Sequence, residues 1–193
     1  MVTFAVHIMP KSSRENQVLE LFFNEPTKQW HFFQIMKEVP LPANKVSKWL
    51  KKFQKEGLIK RVKPRGKMPF YLACSESSHY ENTKRFFAFN RFNAVGLFDY
   101  LASLEGAQAV ILFGSFSRGD WYKESDIDLF IYGEVKSLNL GPFYFTLHRE
   151  FQVFVGKNRA DLQEMGPALL RNIIRGVSIK GSIPSVVLEY ALV

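Results

Sequence analysis

Two carboxylates one residue apart, Asp126 and Asp128, open the apolar run Ile127-Asp128-Leu129-Phe130-Ile131-Tyr132. In a strand, residues i and i+2 point to one face about 6.5–7 Å apart. Asp126 and Asp128 are therefore expected on one face, with Ile127, Leu129 and Ile131 packing the other. Two like charges at that separation repel by about 2.5 kcal/mol at an effective dielectric of about 20. A divalent cation between them reverses the sign, and hard oxygen donors suit Mg²⁺, with Mn²⁺ as a substitute. Upstream, the buried-strand run Ala107–Phe113 ends in Gly114-Ser115-Phe116-Ser117-Arg118-Gly119, read as a small-residue turn. Glycine there lets backbone amides approach an anion such as a phosphate. The chain has no Gly-x4-Gly-Lys-Ser/Thr loop, which excludes an ordinary P-loop ATPase.

Joined together, Gly114-Ser115-x-x-Arg118-Gly119-x5-Ser125-Asp126-x-Asp128-Leu129 resembles the signature of the DNA polymerase β-like nucleotidyltransferases, in particular the minimal nucleotidyltransferases of archaea and bacteria. The resemblance implies a mixed β-sheet flanked by helices, and ATP or another nucleoside triphosphate as substrate. Gly114, Ser115, Arg118 and Ser125 would contact the nucleotide, although Arg118 could equally tie the turn to the acidic strand. Asp126 and Asp128 would be the metal ligands and catalytic carboxylates, acting by positioning and charge neutralisation. Active members add a third carboxylate from a later strand, in an apolar-Asp-apolar-apolar context. The candidate strand is Thr146–Val155, where Phe151-Gln152-Val153-Phe154 puts Gln152 in the aspartate's place. Glu150, two residues earlier on the same face, is the candidate third catalytic carboxylate; His148 shares that face. Glutamine cannot serve as a base, so a site relying on Gln152 would hold nucleotide and metal yet transfer slowly or not at all. The tail, a helix over 167–176 and a short strand over 177–181, fits the same family. That family also implies a small helical toxin as protein partner.

The elements before this segment carry a different pattern. A first helix capped by Ser12 or Ser13 should end near Pro26, and a second should cover Thr27–Glu38. A third should run from about Ala43 to Glu56 and stop at Gly57. At 100° per residue, Val46, Trp49, Leu50 and Phe53 share one sector of about 100°, and Lys45, Lys48, Lys52 and Lys55 lie opposite, with Lys51 beside them. Like charges so spaced repel, so this face gains most from an anionic surface. Two short β-like runs follow, 58–62 and 68–73, around the basic turn Lys63-Pro64-Arg65-Gly66-Lys67. Three helices and a basic hairpin over 12–75 resemble a winged helix-turn-helix domain. The resemblance implies a recognition helix in a DNA major groove and a wing on the backbone. Lys45, Lys48, Lys51, Lys52, Lys55, Arg61, Arg65 and Lys67 would contact phosphate, and Asn44 and Ser47 would address base edges. A protein-docking role is the alternative for such a module.

Composition agrees with two modules. Residues 1–75 carry 14 Lys and Arg against 5 Asp and Glu, while residues 76–193 carry 12 against 13, so all excess basicity sits in the first part. The expected organisation is a winged helix over 1–75, a helical connector over 76–106 and a nucleotidyltransferase-like domain over 107–193, an α+β protein. The lone Cys74 excludes an internal disulfide and a cysteine zinc site. No apolar run approaches the length of a membrane span, and the N-terminal segment has no basic region or cleavage site of a secretory signal. A cytoplasmic protein without membrane contact is expected, with a second copy of the chain as a further partner. Two functions compete: Mg²⁺-dependent nucleotidyl transfer to an unidentified acceptor, or a DNA-binding regulator or antitoxin with a degenerate nucleotidyltransferase module.

Overall fold

The computed structural model describes residues 14–184 and 187–189. The expected cap at Ser12 or Ser13 lies outside them. The chain divides into two units, Met1–Tyr80 and Glu81–Val193.

In the first unit, helix α1 (Arg14–Asn24) buries Val18, Leu19, Phe22 and Phe23, and stops before Pro26. Helix α2 spans only Phe32–Glu38, so the expected helix start at Thr27 is corrected. The reason is tertiary. The Trp30 N–H donates to the Tyr71 carbonyl at 2.9 Å and the Tyr71 N–H donates back at 2.8 Å, making an antiparallel bridge. Helix begins only after this extended pairing, where the His31 N–H donates to Gln34 Oε1 at 2.9 Å. Helix α3 (Ala43–Lys55) buries Val46, Leu50 and Phe53. The chain then turns at Gly57, whose φ of +72° suits glycine. Strands β1 (Ile59–Val62) and β2 (Phe70–Ala73) form an antiparallel hairpin, registered Ile59↔Ala73 through Val62↔Phe70. Helix α4 (Ser78–Ala94) starts in this unit, where the Tyr80 hydroxyl donates to the Phe22 carbonyl at 2.7 Å.

The second unit continues with the rest of α4, then α5 (Leu97–Ala102), β3 (Ala107–Phe113), α6 (Gly114–Arg118), β4 (Ile127–Gly133), α7 (Gly141–Leu147), β5 (Phe151–Gly156), α8 (Arg159–Ile174) and β6 (Val177–Lys180). Thus α4 and α5, read from sequence as a connector, belong from Glu81 onward to this unit. The strands form a mixed sheet in the order β5-β4-β3-β6, with β4 and β5 parallel and the other pairs antiparallel. On one face Ile111, Phe113 and Phe130 pack under Leu162, Leu170 and Ile173 of α8 and under Val187.

Three sequence expectations change here. Residues 114–118 are a short helix rather than a turn, closed by Gly119 at φ +89°. Residues 146–150 are not strand. Helix α7 runs to Leu147 and ends at His148 in the left-handed region, φ +53°, where the His148 N–H donates to the Tyr144 carbonyl at 2.8 Å. Strand pairing resumes at Phe151. The tail helix also begins earlier than residue 167, at an Asn158 cap whose side chain accepts from the Ala160 and Asp161 amides. It kinks at Gly166, next to Pro167, which has no N–H for the ladder. Among the described residues, no helix is long and apolar enough to cross a membrane.

Candidate active site

The acidic pair straddles the start of β4. Asp128 is the second residue of the strand and half-buried; Asp126 lies just before the strand and is exposed. Its alternate positions divide as expected at first, with Ile127, Leu129 and Ile131 buried, but Phe130 is buried too. Both faces of the strand are covered beyond Asp128, so the carboxylates mark the open end of a packed sheet. Burial first, then the Asp126 charge, pushes the Asp128 carboxyl above its usual value, and Arg118 draws it back. An anion destabilised by burial and by a like charge is a group that a bound cation would favour. Among the described residues no set of three His, Cys, Asp or Glu side chains gathers into a metal cluster. Two carboxylates, with hard oxygen donors, are what the site offers.

Strand β3 hands the chain to α6 directly beside this pair. Phe113 is in register with Asp128, and Gly114 follows at φ +68°. A Cβ on Gly114 would fall inside the Asp128 carboxylate. Glycine is therefore required twice, by conformation and by space. Ser115 is half-buried at the next position. The Ser117 hydroxyl donates to the Gly114 carbonyl at 2.8 Å, and the Gly119 and Asp120 N–H groups donate to the Ser115 carbonyl. Arg118 uses its Nε to donate to Asp120 Oδ2 at 3.0 Å, a bond within its own segment and not to the acidic strand.

Across the parallel pair, Asp128 is in register with Gln152, and Ile127 with Phe151. The Ile127 N–H donates to the Glu150 carbonyl at 2.8 Å, which brings Glu150 beside the start of β4. Gln152 and Glu150 are both exposed. Asp126 and Glu150 line one cavity of about 360 Å³ with Lys123, Glu124, Ser125, Tyr144, His148 and Arg149. The Ser125 hydroxyl accepts from the Tyr122 N–H at 2.8 Å, a bond within its own loop.

Sequence reasoning missed two cations. Lys84, 1% exposed, donates from Nζ to the Trp121 carbonyl and lies 4.6 Å from the centre of the Trp121 ring. Arg149 donates from Nη1 to the carbonyls of Tyr122 (2.6 Å) and Lys123, with a longer bond of 3.4 Å to that of Ser125. A signal for Lys84 existed. It sits four residues after Tyr80 and four before Ala88, inside a stripe that continues to Phe92, and all four are buried.

In the first unit, Lys45, Lys48, Lys51, Lys52 and Lys55 are exposed on α3, as are Arg61, Arg65 and Lys67 on the hairpin. Lys52 differs from the others. Its ammonium donates to Glu15 of α1 at 2.6 Å and lies 3.7 Å from Glu56, and the Glu15 bond holds its pKa above the usual lysine value. Asn44 is exposed and its Oδ1 accepts from the Lys45 N–H at 2.9 Å, while Ser47 is half-buried.

Residues 96–174 match the family model of the nucleotidyltransferase domain, a span under half of the chain that contains α5 through α8 and every residue of the acidic site. Among solved structures, a toxin–antitoxin chain crystallised with AMP-PNP is similar at 18% identity and a TM-score of 0.33, over 58% of this chain and 81% of that one. No curated protein matches the sequence.

Proposed function

We propose that the nucleotidyltransferase domain of this chain moves a nucleotidyl group from a nucleoside triphosphate, ATP first among candidates, to an acceptor oxygen. The observation that carries the reading is the Asp128 carboxylate, half-buried beside Asp126 and packed against a glycine that opens a short helix. Asp126 and Asp128 would hold Mg²⁺ or Mn²⁺; when bound, the cation supplies charge that neutralises and aligns the phosphates. The Ser115 hydroxyl and the backbone amides around Gly114 and Ser115 would hold the terminal phosphates, with Arg118 and Ser125 at the rim. Reaction is then an in-line displacement: the acceptor oxygen bonds to the α-phosphorus as the bond to pyrophosphate breaks. Glu150, on the shared cavity with Asp126, would accept the acceptor's proton. Positioning and charge neutralisation do the rest.

A second reading rests on Gln152. The residue in register with Asp128 is a neutral amide, which neither binds a cation as a carboxylate does nor accepts a proton. On that reading the domain holds nucleotide without transferring it, and the first unit acts as a DNA-binding regulator or antitoxin through its basic face. Three helices, a basic hairpin and the exposed lysines of α3 support a winged-helix role for residues 12–75. The acceptor could be a small helical toxin protein.

Labelled ATP separates the readings. Incubation of the full chain with α-labelled ATP, Mg²⁺ and candidate partner proteins should leave label on an acceptor. Asp126→Asn with Asp128→Asn should abolish it. Nucleotide binding without any transfer, in wild type and in Gln152→Asp alike, would overturn the transferase reading.

A further inference from the structure

The segment between α6 and β4 has no strand or helix of its own, yet it delivers Asp126 to the site. Two cations from separate parts of the chain converge on its backbone. From α4, Lys84 donates to the Trp121 carbonyl, with its ammonium 5.3 Å from the Tyr122 ring centre. From the residues before β5, Arg149 donates to the carbonyls of Tyr122, Lys123 and Ser125. Its guanidinium also lies 5.3 Å from the centre of the Trp121 ring and 5.6 Å from that of Phe116. Trp121 in turn stacks on Phe116 of α6, with ring centres 5.1 Å apart and planes at 13°. The loop root is closed as well, because a Cβ on Gly119 would run into the Glu81 carbonyl of α4.

A lysine is almost never fully buried without a partner. Here four carbonyls of one loop, those of residues 121, 122, 123 and 125, accept from ionised donors, the stronger class of hydrogen bond, with that to Ser125 the longest at 3.4 Å. The charges facing Lys84 are Asp120 on the loop, Arg149 from the residues before β5 and Glu81 on its own helix. A loop so held loses little freedom when a ligand engages Asp126.

We propose that Lys84 and Arg149 are paired positioning residues that clamp the loop Asp120–Ser125 from two separate elements and thereby set Asp126 for its ligand. The clamp itself is independent of the transferase reading; its consequence for ligand binding rests on that reading.

Hydrogen exchange on the full chain tests it, with peptides covering 121–126 compared with peptides covering β3, alongside Mg²⁺–ATP affinity. Lys84→Gln and Arg149→Gln should each raise exchange over 121–126 by about tenfold or more, the scale of a lost charge-assisted bond, and leave β3 unchanged. Mg²⁺–ATP affinity should fall in parallel, and Arg149→Lys should fall between wild type and Arg149→Gln in both readouts. A merely structural role would raise exchange in β3 and the loop together, and that outcome overturns the proposal, as does unchanged loop exchange in the folded variants. If Lys84→Gln does not fold, Arg149→Gln decides the same question. Absence of Mg²⁺–ATP binding by wild type would sink the nucleotide reading alone, with loop exchange still deciding the clamp.

Discussion

Gly114 and Asp128 share one space: the hydrogen side of the glycine faces the carboxylate so closely that no side chain fits between them. The start of α6 and the acidic strand are thereby held edge to edge, and the Gly114 backbone borders the Asp128 carboxylate without an intervening group. Gly114→Ala should be costly, since it forces both a left-handed alanine and a collision with Asp128. A loss of about 1–3 kcal/mol is expected, read as a lowered urea midpoint at unchanged m-value. A neutral substitution would show that the two segments are free to separate.

The acidic pair should respond to cation. Mg²⁺ or Mn²⁺ should raise the thermal midpoint in the presence of ATP, by the ordinary mass-action increment of about 2.7 kcal/mol at a hundredfold excess over Kd. Asp126→Asn with Asp128→Asn should remove the increment and keep the fold, because the pair repels in the absence of a cation. An increment surviving in the double variant places the cation elsewhere.

Glu150 and Gln152 separate an active from a degenerate site. If Glu150 is the base, Glu150→Gln abolishes transfer while Gln152→Asp, in register with Asp128, leaves or raises it. Transfer by Gln152→Asp but none by wild type would identify the native domain as a binding module.

Lys84 should give stability a signature in alkaline solution. Burial lowers its pKa from 10.5 to about 8. Between those values the unfolded chain binds a proton that the folded chain has released, so stability from this group rises with pH across that window. The gain approaches about 3 kcal/mol once pH passes the unfolded value. Urea midpoints of wild type minus Lys84→Gln, measured from pH 7.5 to 10, should therefore move in favour of wild type. A difference that stays flat would mean that Lys84 is charged, or neutral, throughout.

The basic face predicts a salt dependence that is not uniform across its lysines. About five phosphate contacts on duplex DNA imply a log–log slope near −4.5. Lys48→Ala and Lys51→Ala should each flatten it by about 0.9, for every sequence alike. Lys52→Ala should flatten it less, because that ammonium is already paired with Glu15 and Glu56. Asn44→Ala should instead reduce discrimination between sites. A fragment of residues 81–193 lacks this face and should show no salt-dependent binding to duplex DNA. Equal slopes for all three lysine variants would remove the distinction that Glu15 makes.

Local spacing carried much of this protein. The Asp126–Asp128 pair and the lysine side of α3 follow from periods of 2 and 3.6 residues, which depend only on a segment's own backbone. The family resemblance, through the apolar context of its third carboxylate, aligned Gln152 with the position in register with Asp128. What spacing does not encode is the choice of partner far along the chain. Trp30 left its helical pattern because Tyr71 offered backbone bonds, and His148 broke the strand read over 146–155 by ending a helix in the left-handed region. Lys52 on α3 pairs with Glu15, thirty-seven residues earlier on α1. Lys84 and Arg149 became buried and half-buried clamps only because packing brought α4 and the approach to β5 around one loop, where desolvation makes each carbonyl bond count.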